Sequence, residues 1–531
     1  MNQVTCYVRG TVLTQRREAP RAEAVVTRGN TILFVGADDD ARAAAGKGAA
    51  VVDLGGRCML PGFIDGHTHF VQGGMHLQGV NLRPCRSAEE FAGVLKAYVA
   101  GHRGTWITGG DWDQESWPTR RLPSRSMIDS FSADTPVFVQ RFDGHMGLAN
   151  GAALRAAGLS ASTADPEGGV IERDPETGEP TGILKDAAIP LVTDRIPAPS
   201  AAAIRDAVRI AQREAARHGV TSIHDITLPE HLAVFDAMDA DGELTVHIYS
   251  RLPIAMYREL VDRGVTAGTG DGRVSVGSLK AFSDGSLGSD TAWFFEPYSH
   301  NPSLTGLAMD IVTSGRLREW ALEADRNRLQ LSIHAIGDRA NDAVLRIFDE
   351  IVKTNPPWDR RLRIEHAQHL RPGDVARFAA LGVVVSAQPY HCIDDGVWAE
   401  ERIGPERAKR TYAFRSFIDA GVHVCFGSDW TVAPLDPIGG IYAAVTRRTL
   451  DGARPGGWVP EQRLTAEQAI RCYTVEGAYA SYEEHQRGSI TPGKRADLVV
   501  LSRDPAAVPP EALRDITVEM TIADGQAVYS R

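Results

Sequence analysis

Two histidines one residue apart are the side chains of this sequence best suited to hold a metal ion. His67 and His69 follow an apolar, strand-like run that ends at Asp65. In an extended strand, positions i and i+2 point to the same side, so the two imidazoles would converge on one point. Neutral imidazole is a common ligand of Zn²⁺. Because histidine pairs are also common on protein surfaces, this pair indicates a metal site only together with further ligands.

Further side chains of ligand type stand at the ends of other strand-like segments. Singly, each has an ordinary explanation, such as a hydrogen-bonded core histidine, a turn-forming aspartate or a lysine paired with a carboxylate. As a set they are harder to explain, because burying them together without a cation would leave much polar surface unsatisfied. We therefore predict one metal site from His67, His69, Lys280, His334, His366 and Asp429.

The middle of the chain alternates short β-branched segments with longer amphipathic helical segments. The predicted strands are residues 59–65, 221–225, 244–251, 274–282, 330–334, 362–366, 383–388 and 422–429. Helical segments such as 201–218, 340–353 and 408–420 separate most of them. Eight parallel strands with intervening helices predict an α/β protein with a (β/α)8 barrel. The predicted ligands then lie at the carboxyl ends of five barrel strands, where active sites of this architecture are found.

The two ends of the chain and one long insertion complete the predicted organisation. Residues 1–58 and 488–531 are rich in strand-like segments and predict a small β-sandwich built from both termini. The barrel would comprise residues 59–80 and 200–487. Residues 81–199 are too many for one connection of a barrel and predict an inserted α/β subdomain. Because this insertion follows the first strand, we expect it over the carboxyl-terminal mouth of the barrel.

Composition limits the partners and the compartment of the protein. Its net charge of −11 and its lack of a basic run argue against nucleic acid or an anionic membrane as a partner. No apolar run approaches the roughly 20 residues that span a bilayer, and the first residues lack the pattern of a secretory signal. Six scattered cysteines without Cys-X-X-Cys spacing indicate reduced thiols. We expect a cytoplasmic protein that acts on a small-molecule substrate. The predicted fold is also compatible with a homo-oligomer.

An ordered series of motifs resembles the amidohydrolase superfamily, and within it the YtcJ-like group (amidohydrolase family 3) that includes N-substituted formamide deformylases. The resemblance covers nearly the whole chain. It rests on Lys280 and on residues 61–69, 141–145, 180–185, 284–289, 333–338, 364–367, 388–389, 427–429 and 493–498. It implies a barrel hydrolase with a centre of two divalent metal ions.

The resemblance also implies how the predicted ligands divide between the two ions. The buried ion is expected at His67, His69 and Asp429, and the more exposed ion at His334 and His366. Lys280 would bridge both after N6-carboxylation by CO2, since an ammonium has only donors whereas a carbamate offers two anionic oxygens. Four imidazoles with oxygen donors suit Zn²⁺ best, although Mn²⁺, Fe²⁺, Co²⁺ or Ni²⁺ could occupy the same set.

The activity implied by the resemblance is hydrolysis of a C–N bond in an amide, an N-formyl amine or an N-acyl amine. A water shared by the two metal ions would supply hydroxide near neutral pH. Asp429 would then carry a proton from this water to the leaving amine. His145 in the insertion could donate to the oxyanion or orient the substrate, and His391 after the seventh strand could reach the mouth of the barrel.

Other functions fit the same residues. They are hydrolysis of a cyclic imide, a carbamate or an ester, a metal-dependent lyase or isomerase reaction without net hydrolysis, and a catalytically inactive binding protein. One departure from the family bears on the substrate: Asp290 stands where the group usually has arginine, which predicts a reversed charge near the pocket. Trp112 and Trp117 either line an apolar pocket or hold the insertion together.

Overall fold

A computed structural model describes residues 3–114, 117–119, 121–141, 146–166, 169–186, 188–288 and 290–531. The chain divides into two compact units, one made of Met1–Phe70 with Ala211–Arg531 and the other of Val71–Ile210. The limits predicted for the insertion, residues 81–199, stay a prediction. Among the described residues, no helix combines the length and the apolar composition that crossing a bilayer requires.

The strands are numbered in chain order. They are β1 (Val4–Val8), β2 (Thr11–Leu13), β3 (Arg21–Ala22), β4 (Ala24–Arg28), β5 (Thr31–Gly36), β6 (Ala50–Asp53), β7 (Cys58–Pro61), β8 (Phe63–Thr68), β9 (Val80–Asn81), β10 (Gly109–Trp112), β11 (Phe138–Arg141), β12 (Met146–Ala149), β13 (Gly169–Arg173), β14 (Pro180–Asp186), β15 (Val220–Ile226), β16 (His247–Pro253), β17 (Val274–Phe282), β18 (Gln330–Ala335), β19 (Arg363–His366), β20 (Val384–Ala387), β21 (Val424–Phe426), β22 (Leu498–Leu501), β23 (Val518–Ala523) and β24 (Gln526–Ser530).

The α-helices are numbered in the same way. They are α1 (Asp38–Ala45), α2 (Phe70–Gln78), α3 (Ala88–Gly101), α4 (Gly151–Ala157), α5 (Pro190–Thr193), α6 (Ala201–Arg217), α7 (Pro229–Ala240), α8 (Tyr257–Asp262), α9 (Asp310–Thr313), α10 (Arg316–Arg326), α11 (Asp338–Thr354), α12 (Asp374–Leu381), α13 (Pro389–Asp395), α14 (Ala399–Ile403), α15 (Pro405–Ala408), α16 (Phe414–Asp419), α17 (Pro437–Thr446), α18 (Ala466–Cys472) and α19 (Val475–Ala480).

Eight parallel strands form a nearly closed barrel in the first unit. They follow the order of the chain, from β8 through β15 to β21. The first barrel strand meets the segment after the last one where Thr68 forms a parallel β-bridge with Trp430. Next to this bridge, the His69 N–H donates to the Trp430 carbonyl at 2.7 Å. Helices connect most successive strands, as parallel pairing requires. The predicted α/β fold with a (β/α)8 barrel is confirmed.

The predicted first strand, residues 59–65, is in fact two strands of different sheets. β7 pairs with β2 and β22, whereas β8 pairs with β15 of the barrel. The chain changes sheets at Gly62, where a Cβ atom would lie 2.2 Å from the hydroxyl oxygen of Thr221. Both strands are buried along their whole length, so the sequence shows one continuous apolar run across the change.

Residues from both termini form a β-rich region of the first unit. One sheet has the strand order β5-β4-β1-β6, and the other has the order β24-β23-β22-β7-β2-β3. Side chains from both ends of the chain share one apolar cluster, which includes Tyr7, Val25, Leu498, Val500 and Ile522. The two ends therefore stabilise each other, as expected for two sheets that bury their inner faces together.

The second unit contains a mixed sheet with the strand order β13-β14-β12-β11-β10-β9. Trp112 and Trp117 are buried in its apolar cluster with Phe91. The Trp112 indole N–H donates to the Val139 carbonyl at 3.0 Å, and that of Trp117 donates to the Cys85 carbonyl at 3.2 Å. Both tryptophans therefore hold this unit together, which was one of the two roles open to them.

The half-buried side chain of His218 links the end of α6 to the start of α17, and it makes stability depend on pH. His218 Nε2 lies 3.1 Å from Glu214, and its Nδ1 lies 3.6 Å from Asp436. Burial alone would lower the pKa of His218, but the two carboxylates raise it from 6.5 to about 9. A pKa raised on folding stabilises the fold fully below the unfolded value and loses this effect as the pH rises through the folded value.

We therefore expect His218→Gln to lower the melting temperature at pH 6 and to have a shrinking effect between pH 7 and pH 10. Thermal unfolding of both proteins across this range, followed by circular dichroism, measures the difference. An equal loss of melting temperature at pH 6 and pH 10 would show that the imidazole of His218 stabilises the fold by packing and not by its positive charge.

Candidate metal centre

The six predicted ligand residues lie together inside the first unit, at the carboxyl ends of barrel strands. Ligand atoms of His67, His366 and Asp429 all lie within 4.8 Å of one another. Nε2 of His69 lies 3.3 Å from Oδ1 of Asp429. The ring centroids of His334 and His366 are 4.5 Å apart. Lys280 completes the group from the neighbouring strand β17, and its charge acts on His67 and His366.

Asp65 holds the histidine pair against the last barrel segment. Its carboxylate accepts the His67 N–H at 3.0 Å and the Ser428 N–H at 2.9 Å. These contacts join the end of β8 to the loop that carries Asp429. Gly427 permits the close approach, because a Cβ atom there would lie 2.4 Å from the His67 nitrogen.

Two of the predicted ligand residues adopt backbone angles that residues other than glycine rarely take. His366 has φ of 71° and Asp429 has φ of 58°, and Ala367 after His366 also has positive φ. Such conformations cost free energy and persist where the surrounding structure holds them, which is often at functional sites. In a regular strand Glu365 and His366 would point to opposite faces, yet both contact His67 here. The backbone turn at His366 therefore brings its imidazole into the site.

Lys280 is a buried amine without a compensating anion at bonding distance. Its Nζ makes no hydrogen bond to any residue that the structure describes, and it lies 4.6 Å from the ring centroid of Phe282. Burial disfavours the ammonium form and lowers the pKa of Lys280 from 10.5 to about 7. A substantial fraction of the side chain is then a neutral amine with a free lone pair near neutral pH.

The imidazole of His334 is oriented by two groups near its Nε2 atom. Its Nε2 donates to the Gly285 carbonyl at 3.1 Å and lies 3.3 Å from Oδ1 of Asp284. Asp284 is itself fixed by the N–H groups of Ile336 and Gly337, at 3.0 and 2.8 Å. Because Nε2 carries the hydrogen, Nδ1 of His334 remains as the acceptor that can hold a cation.

The two further catalytic candidates have different outcomes. His145 lies outside the described residues. His391 lies in the first turn of α13, and its ring stacks parallel to that of His366 with centroids 6.3 Å apart. Its Nε2 is buried and finds no hydrogen-bond partner among the described residues. Burial lowers the pKa of His391, so the ring is neutral near pH 7.

The family model of the amidohydrolase family matches residues 50–529. The chain belongs to this family. It is 37% identical over 507 residues to LONG AFTER FAR-RED 3 of Arabidopsis thaliana, covering 93% of this chain and 86% of that protein. It is 31% identical over 537 residues to YtcJ of Bacillus subtilis, covering 98% of each. It is 30% identical over 533 residues to the N-substituted formamide deformylase of Arthrobacter pascens, covering 96% and 95%. The resemblance seen in the sequence is confirmed.

Solved structures share the fold of this amidohydrolase. A metal-dependent hydrolase of uncharacterized function from Pyrococcus horikoshii superposes with a TM-score of 0.82 at 27% identity, covering 96% of this chain and 99% of that one. Family membership and this neighbour support a hydrolase with a metal cofactor.

Three charged residues that the sequence analysis did not single out lie inside the barrel beside the ligands. Arg251, Arg363 and Glu365 are each 0% exposed. Burial alone would raise the pKa of Glu365, but the two guanidinium groups hold it well below its usual range. A signal was present in the sequence, because Arg363 and Glu365 alternate within an apolar strand and therefore share its inner face.

The charge reversal predicted from Asp290 is compensated locally. Asp290 forms an ion pair with Arg402, and His300 Nε2 lies 3.2 Å from its other oxygen. The carboxylate is thus paired on both sides. Its substitution for the usual arginine adds an internal ion pair, so Asp290 contributes little net negative charge to the site.

A second group of ligand-type side chains lies apart from the centre, at the start of β16. It consists of His247, Asp497 and Asp524. Arg273 and Arg495 pair with Asp524 at 2.8 and 3.0 Å, and the charge of Arg487 acts on Asp497, so positive charge already accompanies both carboxylates. Adding a divalent ion would leave excess positive charge, and we assign the group a structural role.

The close approach at Gly427 gives a direct test of the geometry. In Gly427→Ala the new methyl group would meet the His67 nitrogen and Asp65, at 2.4 and 2.9 Å. We expect this variant to lose bound metal and about 1–3 kcal/mol of stability, the usual cost of overpacking. Gly456→Ala is the matched control, since a Cβ there meets no atom within 4 Å. Metal analysis and thermal unfolding compare the two, and full metal content in Gly427→Ala would contradict this arrangement.

Proposed function

We propose that this protein is an amidohydrolase that uses two divalent metal ions to hydrolyse the C–N bond of an amide, an N-formyl amine or an N-acyl amine. The observation that carries the proposal is the cluster of His67, His366 and Asp429, whose ligand atoms lie within 4.8 Å of one another beside the unpaired amine of Lys280. The similarity to an N-substituted formamide deformylase over nearly the whole chain favours an N-formyl or N-acyl amine.

The donor set fits a pair of divalent ions. Asp429 lies within 3.4 Å of Nε2 of both His67 and His69, which suits one ion. His334 and His366 would hold the second. Buried acceptors such as Nδ1 of His366 lack a partner among the described residues, and a cation would satisfy groups of this kind. Imidazole nitrogens and carboxylate oxygens favour Zn²⁺ among the common metals.

The buried amine of Lys280 is suited to carboxylation. Its neutral form can attack the carbon of CO2, forming an N–C bond and releasing one proton to solvent. The carbamate that results would carry one negative charge and two oxygen acceptors, so an unpaired donor would become an anionic ligand. Charge balance also favours this change, because two divalent ions beside neutral imidazoles need anionic ligands.

Bound metal ions would supply a nucleophilic water at neutral pH and polarise the scissile carbonyl. Asp429 is the residue of this chain placed to move the proton. Its interaction with His67 and its hydrogen bond with His69 hold its pKa well below the usual range despite its burial, so it stands ready as a carboxylate. It accepts a proton from the attacking water and donates it to the leaving nitrogen. His391, with an unpaired Nε2 beside His366, would orient the substrate carbonyl.

The reaction class is tested with a panel of N-formyl amines, N-acyl amines, cyclic imides, carbamates and esters. We expect the purified protein to hydrolyse members of the first two classes, to lose activity with a chelator and to regain it with Zn²⁺ and bicarbonate. Reaction in H2¹⁸O should place one ¹⁸O atom in the carboxylate product. Product without the label would indicate a lyase or an isomerase, and full activity after metal removal would contradict the proposal.

Asp429→Asn tests the proton transfer. The amide keeps the size of the side chain but cannot accept the proton, so we expect kcat to fall at least about 100-fold, the lower range for general acid–base catalysis. Asp419→Asn, at an exposed aspartate of α16 that pairs with Arg415, is the matched control and should keep wild-type kcat. Circular dichroism verifies that both variants are folded. Wild-type turnover by Asp429→Asn would exclude this role.

A further inference from the structure

The charged group beneath the metal ligands is the most unusual feature of the barrel interior. Arg251 on β16 and Arg363 and Glu365 on β19 are fully buried. Burying charges is costly unless they are paired and hydrogen-bonded, and apolar residues of similar size often give a fold that is no less stable. Most barrel interiors are filled with branched apolar side chains. The group therefore calls for a role beyond filling the barrel.

Each carboxylate oxygen of Glu365 has defined partners. Ser332 Oγ donates to Oε1 at 2.5 Å, and Nε of Arg363 lies 2.6 Å from the same oxygen. Nη1 of Arg251 lies 2.9 Å from Oε2. Oε2 also accepts from Nη2 of Arg363 at 3.3 Å and forms a hydrogen bond with Nδ1 of His67. Two cations and a hydroxyl thus fix the carboxylate, and within the described part of the chain the proposed metal ligand that it hydrogen-bonds is His67.

Arg363 also fixes the chain around His67. Arg363 donates through Nη2 to the Gly66 carbonyl and to Ser386 Oγ, the latter at 2.8 Å. Its Nη1 donates to Nδ1 of His224 at 2.8 Å. Gly66 directly precedes His67, so one guanidinium group contacts both the backbone at His67 and the carboxylate that bonds the His67 ring.

We infer that Glu365, clamped by Arg251 and Arg363, is the positioning residue of His67. An anionic acceptor surrounded by donors has no hydrogen to give, so the hydrogen of the His67 ring lies on Nδ1. Nε2 is left with its lone pair directed towards Asp429, 3.4 Å from Oδ1. The ring is then held in the tautomer and orientation that bind a cation before the cation arrives. Carboxylates that orient metal-binding histidines typically change metal affinity or activity 10–100-fold.

This inference rests on the proposed metal centre, and metal binding itself tests it. Apoprotein is titrated with Zn²⁺ against a chromophoric chelator, and the Co²⁺-substituted protein is examined by visible absorption. For Glu365→Gln we expect affinity for the ion at His67 to fall about 10–100-fold, with shifted Co²⁺ bands. Glu476→Gln is the matched control, because Glu476 likewise pairs with a histidine and an arginine, His423 and Arg471, neither of which is a predicted ligand, and it should behave as wild type.

Glu365→Asp covers the case in which the glutamine variant does not fold beside two arginines. It keeps the charge but withdraws the carboxylate from His67 by one methylene, so we expect weaker binding and shifted Co²⁺ bands in a folded protein. Wild-type affinity and spectrum in a folded Glu365→Gln or Glu365→Asp protein would overturn the inference while leaving the proposed function intact. A wild-type protein that binds no divalent metal would overturn both.

Discussion

The free energy of burying polar groups constrains this site more than any other interaction. Four imidazoles, a carboxylate and an amine meet in the barrel, and most of them are hidden from water. The protein alone does not satisfy them, since Nζ of Lys280 and Nδ1 of His366 have no hydrogen-bond partner among the described residues. Divalent cations would satisfy such acceptors directly, and carboxylation would turn the amine into an acceptor as well. Burial of these groups, which would destabilise an apolar core, would thus become favourable once metal is bound.

The surrounding structure is arranged to hold these groups in place. Asp65 ties β8 to the loop of Asp429, Asp284 fixes the segment after β18, and Glu365 bonds the ring of His67. Each of these carboxylates is buried and accepts more than one donor, so each side chain has little freedom to move. Positive φ at His366 and Asp429 adds backbone strain that these contacts must sustain. Rigid support of this kind keeps metal ligands in one geometry.

The main features of the fold and the site could be predicted from the sequence because they follow simple periodicities. Alternating strands and helices indicated the barrel, and ligand-type residues at strand ends indicated the site. The change of sheet at Gly62 could not be predicted, because β7 and β8 are both wholly buried and show no alternation. The role of Glu365 could not be predicted, because Glu365 directly precedes the predicted ligand His366 and belongs to the same short motif. Only the closed barrel shows that its carboxylate reaches His67 from another strand.

Anomalous X-ray diffraction at the zinc absorption edge, on crystals of the Zn²⁺-loaded protein, would locate the two proposed ions. We expect two peaks about 3.5–4 Å apart. They should lie about 2.0–2.2 Å from the ligand atoms of the histidines and Asp429, with carbamate density on Lys280 between them. Absence of peaks there, or a peak only at His247, Asp497 and Asp524, would contradict the proposed metal centre.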